Sequence, residues 1–345
     1  MSKKTNALLT LLAVIMALSL SFIIPSGTML EDERFMPEDE PWLEEELDTN
    51  NDSLDQIQLT TSGAKPAFSF LIPSAKAESI IVRALPIDFS PGRPVNPAGY
   101  TETGYRDPSI QVELEVSEEN GIKWWIAYVK LVHASQFRTA TAGSPQSSRV
   151  ALISSMAEKN NAVIACSASY MANDPDKTSF EYRMGERIRS KFNPIKDTLL
   201  IDENGDFFII SGSDKDAQLN AFNEAGHTII NAFTFGPALV KNDELQAIPE
   251  KYGYNPHRPE PRLALGQIGP LEYVIVHAEG RTDNSAGATV SELAEYMFNL
   301  GCTQAFNFDG GNSATIVYNG GYFQDRSKSN ERAQSDMIYF ASLME

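Results

Sequence analysis

Apolar and polar residues alternate over 112–116, and after a turn at 118–121 an apolar stretch returns over 124–132, which predicts a β-hairpin. Val150, Ile153, Met156 and Ala157 lie near helical spacing and predict a helix over 147–159, followed by a buried strand at 162–165. A second hairpin is expected from 198–201 and 207–210 around the Asn204-Gly205 turn. A short helix at 217–225 and a strand at 228–233 come next, then a third hairpin, 262–267 and 272–277, across Gly269-Pro270. The clearest helix signal starts at Thr289: Glu292 completes a capping box, Val290, Leu293, Ala294, Met297 and Leu300 form the apolar stripe, and Gly301 ends it. Strands at 305–308, 314–318 and 337–340 complete the pattern. Hairpins interleaved with a few packed helices predict an α+β fold with mixed or antiparallel β-sheets in a single main domain, residues 111–345. No internal repeat is seen.

Upstream the pattern changes twice. Residues 65–110 are rich in proline and glycine and read as an extended segment wrapping the main domain. Residues 31–64 are acidic: twelve carboxylates against Arg34 between 31 and 60 leave too few apolar side chains to offset chain entropy, so a solvated stalk is expected. Residues 1–30 carry Lys3 and Lys4 ahead of an uncharged, mainly apolar run from Ala7 to Ile24. That run is long enough to cross a bilayer at about 1.5 Å per residue, and the lysines stay cytoplasmic. An uncleaved single-pass anchor with the domain outside the cell membrane is therefore expected, in preference to a cleaved signal.

The net charge of −18 is concentrated in the stalk and argues against nucleic acid or an anionic membrane surface as a partner. Contact with a membrane is expected through the anchor only. Cys166 and Cys302 lie far apart in apolar surroundings and read as buried free thiols, with a disulfide between them the alternative. The four histidines show no metal-ligand spacing, so no zinc and no cofactor is expected. A divalent cation held by carboxylates stays open as an alternative.

Candidate chemistry gathers in the segment from Phe306 to Thr315. An apolar strand delivers Asp309 beside Gly310 and Gly311, whose missing Cβ lets backbone amides approach an anion, and Asn312 and Ser313 add donors. The same Asp-Gly pair also suits a plain tight turn. This segment resembles the N-L-D-G-G-G-S-[ST]-T motif of the phosphodiester glycosidase family. Residues 235–240 (F-G-P-A-L-V), 261–267 (P-R-L-A-L-G-Q), Glu279-Gly280-Arg281, Ser285-Ala286-Gly287 and the helix start at Thr289 resemble further family motifs in the same order. Where the family carries N-G-[DG]-[YF]-F, this chain has Ser167-Ala168-Ser169-Tyr170-Met171, and Asn312 stands at the third glycine.

The resemblance implies cleavage of the glycosidic bond of a sugar-1-phosphate diester, such as a cell-envelope or exopolysaccharide glycan. Asp309 is then the leading carboxylate, as nucleophile or acid-base group, and Glu279 the second. Arg262 is the candidate phosphate clamp, with an ordinary strand-face ion pair as its alternative role. Gly310, Gly311, Asn312, Ser313, Asn307, Gly236, Arg281, Ser167 and Ser169 are the remaining candidate substrate-binding positions. Two rival readings are a non-catalytic glycan-binding protein with the same fold and a metal-dependent phosphodiesterase.

Overall fold

Three antiparallel sheets enclose one apolar core, and each is backed on its outer face by a single helix, in a computed structural model that describes residues 86–171, 178–325 and 330–344. The expected anchor (1–30), stalk (31–64) and the start of the 65–110 segment lie outside the described residues. Among the described residues no helix is long and apolar enough to cross a membrane.

The largest sheet has nine strands, in the order Tyr100–Thr101, Gly104–Arg106, Ile110–Glu119, Ile122–Leu131, Glu272–Ala278, Arg262–Gly269, Gln304–Phe308, Ala238–Lys241 and Glu244–Leu245. A five-stranded sheet runs Phe207–Ile210, Asp197–Asp202, Ile229–Phe235, Phe180–Arg183 and Glu186–Ser190. The third runs Gly321–Tyr322, Ile316–Tyr318, Ala162–Ser167, Asp336–Ala341 and Phe137–Thr141. Val129, Leu265 and Phe306 of the first sheet, Leu199 and Phe233 of the second, and Ile164, Ile338 and Phe340 of the third meet in the shared core.

Helix α1 (Ile153–Lys159) covers the third sheet through Ile153, Met156 and Ala157, and α2 (Lys215–Glu224) covers the second through Phe222. Helix α3 (Val290–Asn299) lies on the first sheet, Leu293 and Met297 packing on Ala264, Val274 and Ala305. Strand side chains alternate to match: Leu263 and Leu265 face the shared core while Ala264 faces α3. Small residues under the helix are required, since a Cβ on Gly266 would lie 2.5 Å from the Cys302 sulfur. Thr289 and Glu292 form the expected capping box, the Thr289 hydroxyl accepting from the Glu292 amide at 3.2 Å and Glu292 accepting from the Thr289 amide at 2.8 Å.

Three expectations change. Helix α1 starts only at Ile153, because Ala151 exchanges backbone hydrogen bonds with Gln334. The strand expected from 314 begins at Ile316, since Gly311–Ser313 forms a 3-10 turn. Part of the expected wrapping segment is sheet: Tyr100–Thr101 and Gly104–Arg106 extend the nine-stranded sheet. Cys166 and Cys302 are both free and buried, and burial pushes both thiols up.

Candidate functional site

Antiparallel register carries the candidate residues to one edge of the nine-stranded sheet. Arg262 begins its strand opposite Ala278, and Leu263 lies opposite Phe308. The residues that leave the sheet there are Glu279, after Ala278, and Asp309, after Phe308. The Asp309 amide donates to the Ala168 carbonyl at 3.4 Å, which brings in the end of the third sheet. Gly310 has no room for a side chain, because a Cβ would lie 2.7 Å from the Pro261 carbonyl oxygen. Gly311 adopts φ +56° and donates its N–H to the same oxygen at 2.8 Å.

Asp309 is half-buried, yet its Oδ2 is shielded from water and has no hydrogen-bond partner in the protein. The Ser313 hydroxyl donates to the carboxylate while accepting from Gln334 Nε2 at 2.8 Å. Burial holds the Asp309 carboxyl above the usual range, opposed by the Ser313 hydrogen bond, the charges of Arg332 and Lys196, and the Gly310 amide. Tyr170, at φ +52°, lies under Arg332, whose guanidinium carbon is 5.3 Å from the ring centre. Burial raises the Tyr170 phenol; the Arg332 charge counters this and the Asp309 charge adds to it. Lys196 lies 5.4 Å over the Phe235 ring. Asp309 is thus surrounded by Tyr170, Ser313, Lys196 and Arg332, of which only Ser313 is named by the motif. Tyr170 falls in the Ser167–Met171 stretch, which pointed to it; Lys196 and Arg332 are single loop cations with no pattern around them.

Arg281 approaches the glycine turn from the other side. Its Nη2 lies 3.8 Å from where a Gly311 side chain would begin, and its Nε donates to Glu260 Oε2 at 2.6 Å. Asn312 is exposed on the same turn. Beneath it, Asn307 Nδ2 donates to the Gly236 carbonyl at 2.9 Å, and Gly236, at φ +82°, leaves no space for a Cβ beside the Tyr252 hydroxyl.

The other candidates are engaged by the chain itself. Arg262 is buried and donates to the carbonyls of Ala288 (3.1 Å), Asn255 (3.3 Å) and Arg258 (2.8 Å), so its guanidinium secures the 255–262 loop rather than opening as a clamp. Glu279 accepts from Trp125 Nε1 at 2.9 Å and from the Thr282 hydroxyl at 3.0 Å, with Lys123 at 3.8 Å. The Ser167 hydroxyl accepts from the Thr315 amide at 3.3 Å. Ser169 accepts from Arg183 Nη2 at 3.0 Å, and Arg183 is held in turn by Asp336 at 2.7 Å and Glu181 at 2.9 Å.

Among the described residues one group of metal-type donors comes together: Asp202, Glu203 and His227. It lies outside the Asp309 site. Its donors already serve the fold, Asp202 accepting from the amides of Asn204 and Asp206 and contacting His227 at 2.9 Å. Neither Asp309 nor Glu279 belongs to such a group.

The arrangement suits chemistry on an anionic ligand. A carboxyl with raised proton affinity keeps its proton to higher pH and can serve as acid or base, while Lys196 and Arg332 supply positive charge around it and Arg281 does so beside the glycine turn.

The family model described as phosphodiester glycosidase matches residues 160–341. A segment of 108 residues is 32% identical to the SPbeta prophage-derived uncharacterized protein YomE of Bacillus subtilis (strain 168), covering 31% of this chain and 17% of that protein. A segment of 59 residues is 39% identical to the N-acetylglucosamine-1-phosphodiester alpha-N-acetylglucosaminidase of Homo sapiens, covering 17% and 11% of the two chains. The chain therefore spans less than a fifth of the length of either curated relative. The catalytic domain of the zebrafish N-acetylglucosamine-1-phosphodiester alpha-N-acetylglucosaminidase, solved in a form auto-inhibited by its pro-peptide, shares the fold at a TM-score of 0.54 and 16% identity, covering 69% of this chain and 85% of that one.

Proposed function

The chain belongs to the phosphodiester glycosidase family, and on that premise we propose that it hydrolyses the glycosidic bond of a sugar-1-phosphate diester outside the cytoplasm, tethered by its N-terminal apolar segment. The observation that carries the reading is Asp309: a carboxyl raised by burial, one oxygen held by Ser313 and the other without a partner, surrounded by cations.

In this reading Arg281, Lys196 and Arg332 meet the charge of the phosphate, while the Gly310 and Gly311 amides, engaged by the Asp309 carboxyl and the Pro261 carbonyl, hold the turn in place of the anion nest expected there. Asp309 acts at the anomeric carbon. As an acid it gives its proton to the departing phosphate oxygen; as an anion it stabilises the oxocarbenium-like centre that water attacks. A phosphate monoester leaves readily, so a single well-placed carboxyl suffices. Glu279, tied to Trp125 and Thr282, orients the wall of the same edge.

The rival reading, glycan binding without turnover, draws support from the engagement of both Glu279 oxygens by the chain's own donors. Hydrolysis in ¹⁸O-labelled water discriminates between the readings. Glycosidic cleavage puts the label in the released sugar, cleavage of the P–O bond by a phosphodiesterase puts it in the phosphate, and a binding protein releases neither. Label in the phosphate that disappears with chelator would replace the present reading by the metal-dependent one.

A further inference from the structure

A cleft of about 380 Å³, a volume within the range of small-molecule sites, opens on the third sheet and does not include Asp309 in its lining. Its floor is the strand Phe137–Thr141 with Tyr339, one wall is α1, and the other is the extended stretch 89–91. The chain as a whole has 46 acidic residues against 28 basic ones, yet the lining includes Arg138, Lys159 and Arg183 and no carboxylate.

These three cations differ in how far they are neutralised. Arg183 is matched by Asp336 and Glu181. Arg138 is 2% exposed; it donates to the Ser90 carbonyl and lies 3.5 Å from Asp88, a largely solvated carboxylate, while its Nε–H has no acceptor. A guanidinium withdrawn from water and met by one solvated carboxylate leaves a positive potential, which low-dielectric walls focus into the cleft. Lys159 adds a second charge from the exposed rim. The opposite rim is apolar, formed by Pro91 and by Phe89, whose ring is 55% exposed. The Phe89 ring rests on the turn at Gly185, where an added Cβ would lie 3.2 Å from its edge.

We propose that this cleft is a second ligand site, taking a small sugar phosphate with its phosphate toward Arg138 and Lys159 and its sugar ring against Phe89. Arginine and lysine together suit a phosphate, and an exposed aromatic face suits the apolar side of a pyranose. The assignment stands on the cleft alone and does not depend on the role of Asp309. The ligand's source is either a free sugar phosphate or a phosphate within a longer glycan.

Calorimetry on the full-length chain tests this with glucose 1-phosphate, its methyl diester, glucose and inorganic phosphate as probes. Lys159→Glu and Phe89→Ala change exposed rim residues, and circular dichroism checks that each variant folds as the parent does. Each should weaken sugar-phosphate binding about tenfold or more, the loss of one good contact. Preference for the monoester identifies a free sugar phosphate as the ligand, and preference for the diester identifies a chain phosphate. Parent-like affinity in both variants, no binding by the parent, or inorganic phosphate binding as tightly as the sugar phosphate would each overturn the proposal.

Discussion

Replacing Asp309 by asparagine separates catalysis from stability, because the amide keeps the shape of the carboxylate and removes its charge and its proton. Two structural terms set the change in stability. Oδ2 is a shielded acceptor without a partner, a group of that kind costs about 1–3 kcal/mol, and an amide nitrogen in its place is equally unpartnered but spares the burial of a negative charge. Against this, the new donor faces the charges of Lys196 and Arg332, which favour the carboxylate. Ser313 can donate to the remaining oxygen as before. The opposing terms leave Asp309→Asn within about 1 kcal/mol of the parent in urea unfolding, while turnover falls by about 10²–10⁴, the range for loss of an acid-base group. The pH dependence has a definite sign. Burial raises the folded-state affinity of Asp309 for its proton, so the stability it contributes is fully present below the unfolded carboxylate value and is lost as pH rises through the folded one. Asparagine does not titrate, so the variant should gain on the parent between acid and neutral pH. Release of sugar phosphate from a diester, followed by chromatography, reads turnover. A parent-like rate in Asp309→Asn, or a variant that loses ground to the parent as pH rises, would refute the reasoning.

Three further outcomes are expected. Arg262→Ala removes the donors from three backbone carbonyls and should cost about 2–4 kcal/mol in urea unfolding, whereas a loss of phosphodiester affinity at unchanged stability would return Arg262 to the role of clamp. Burial, reinforced by Asp336 and opposed by Arg183, pushes Glu181 from 4.5 to about 7, so the parent should lose stability as pH rises across that interval, at no more than about 1.4 kcal/mol per pH unit. Glu181→Gln should remove this component from a melting-temperature profile, and an unchanged slope would count against it. Protease added outside intact cells should cut in the acidic stretch 31–64 and release the folded domain, while full protection would reverse the proposed topology.

What could be read from the sequence was local in origin. The capping box at Thr289, the Asn-Gly hairpin and the alternation in the central strands each place their cause within a few residues of their effect. The Asp-Gly-Gly turn pointed to Asp309 for the same reason. The strands Phe137–Thr141 and Phe180–Arg183 were missed because each carries buried charge, Arg138 in one and Glu181 with Arg183 in the other, and a buried charge breaks the apolar pattern that betrays a strand. Lys196 and Arg332 were missed for a different reason: one enters the second sheet, the other the third, and only closure of the three sheets around their core brings both to Asp309.

The matched motifs themselves divide along this line. Arg262 ties down the backbone of the 255–262 loop, and Gly280 and Gly287 are glycines because added Cβ atoms would lie 2.7 Å from the Pro261 nitrogen and 2.5 Å from the Glu260 carbonyl. These positions press the 260, 280 and 287 segments together and so place Glu279, Arg281 and the Pro261 carbonyl that receives Gly311. Much of the family pattern in this chain therefore specifies how a sheet edge is closed, and the Asp309 carboxyl is one member of it. It follows that Ser167 and Ser169 need not signal lost chemistry. Ser167 supports the Thr315 amide and Ser169 is bonded to Arg183, so both take part in fixing the third sheet beside Asp309. Ser167 and Ser169 thus belong to the wall of the site, while the Asp309–Ser313 contact lies on a different connection, between the strands Gln304–Phe308 and Ile316–Tyr318.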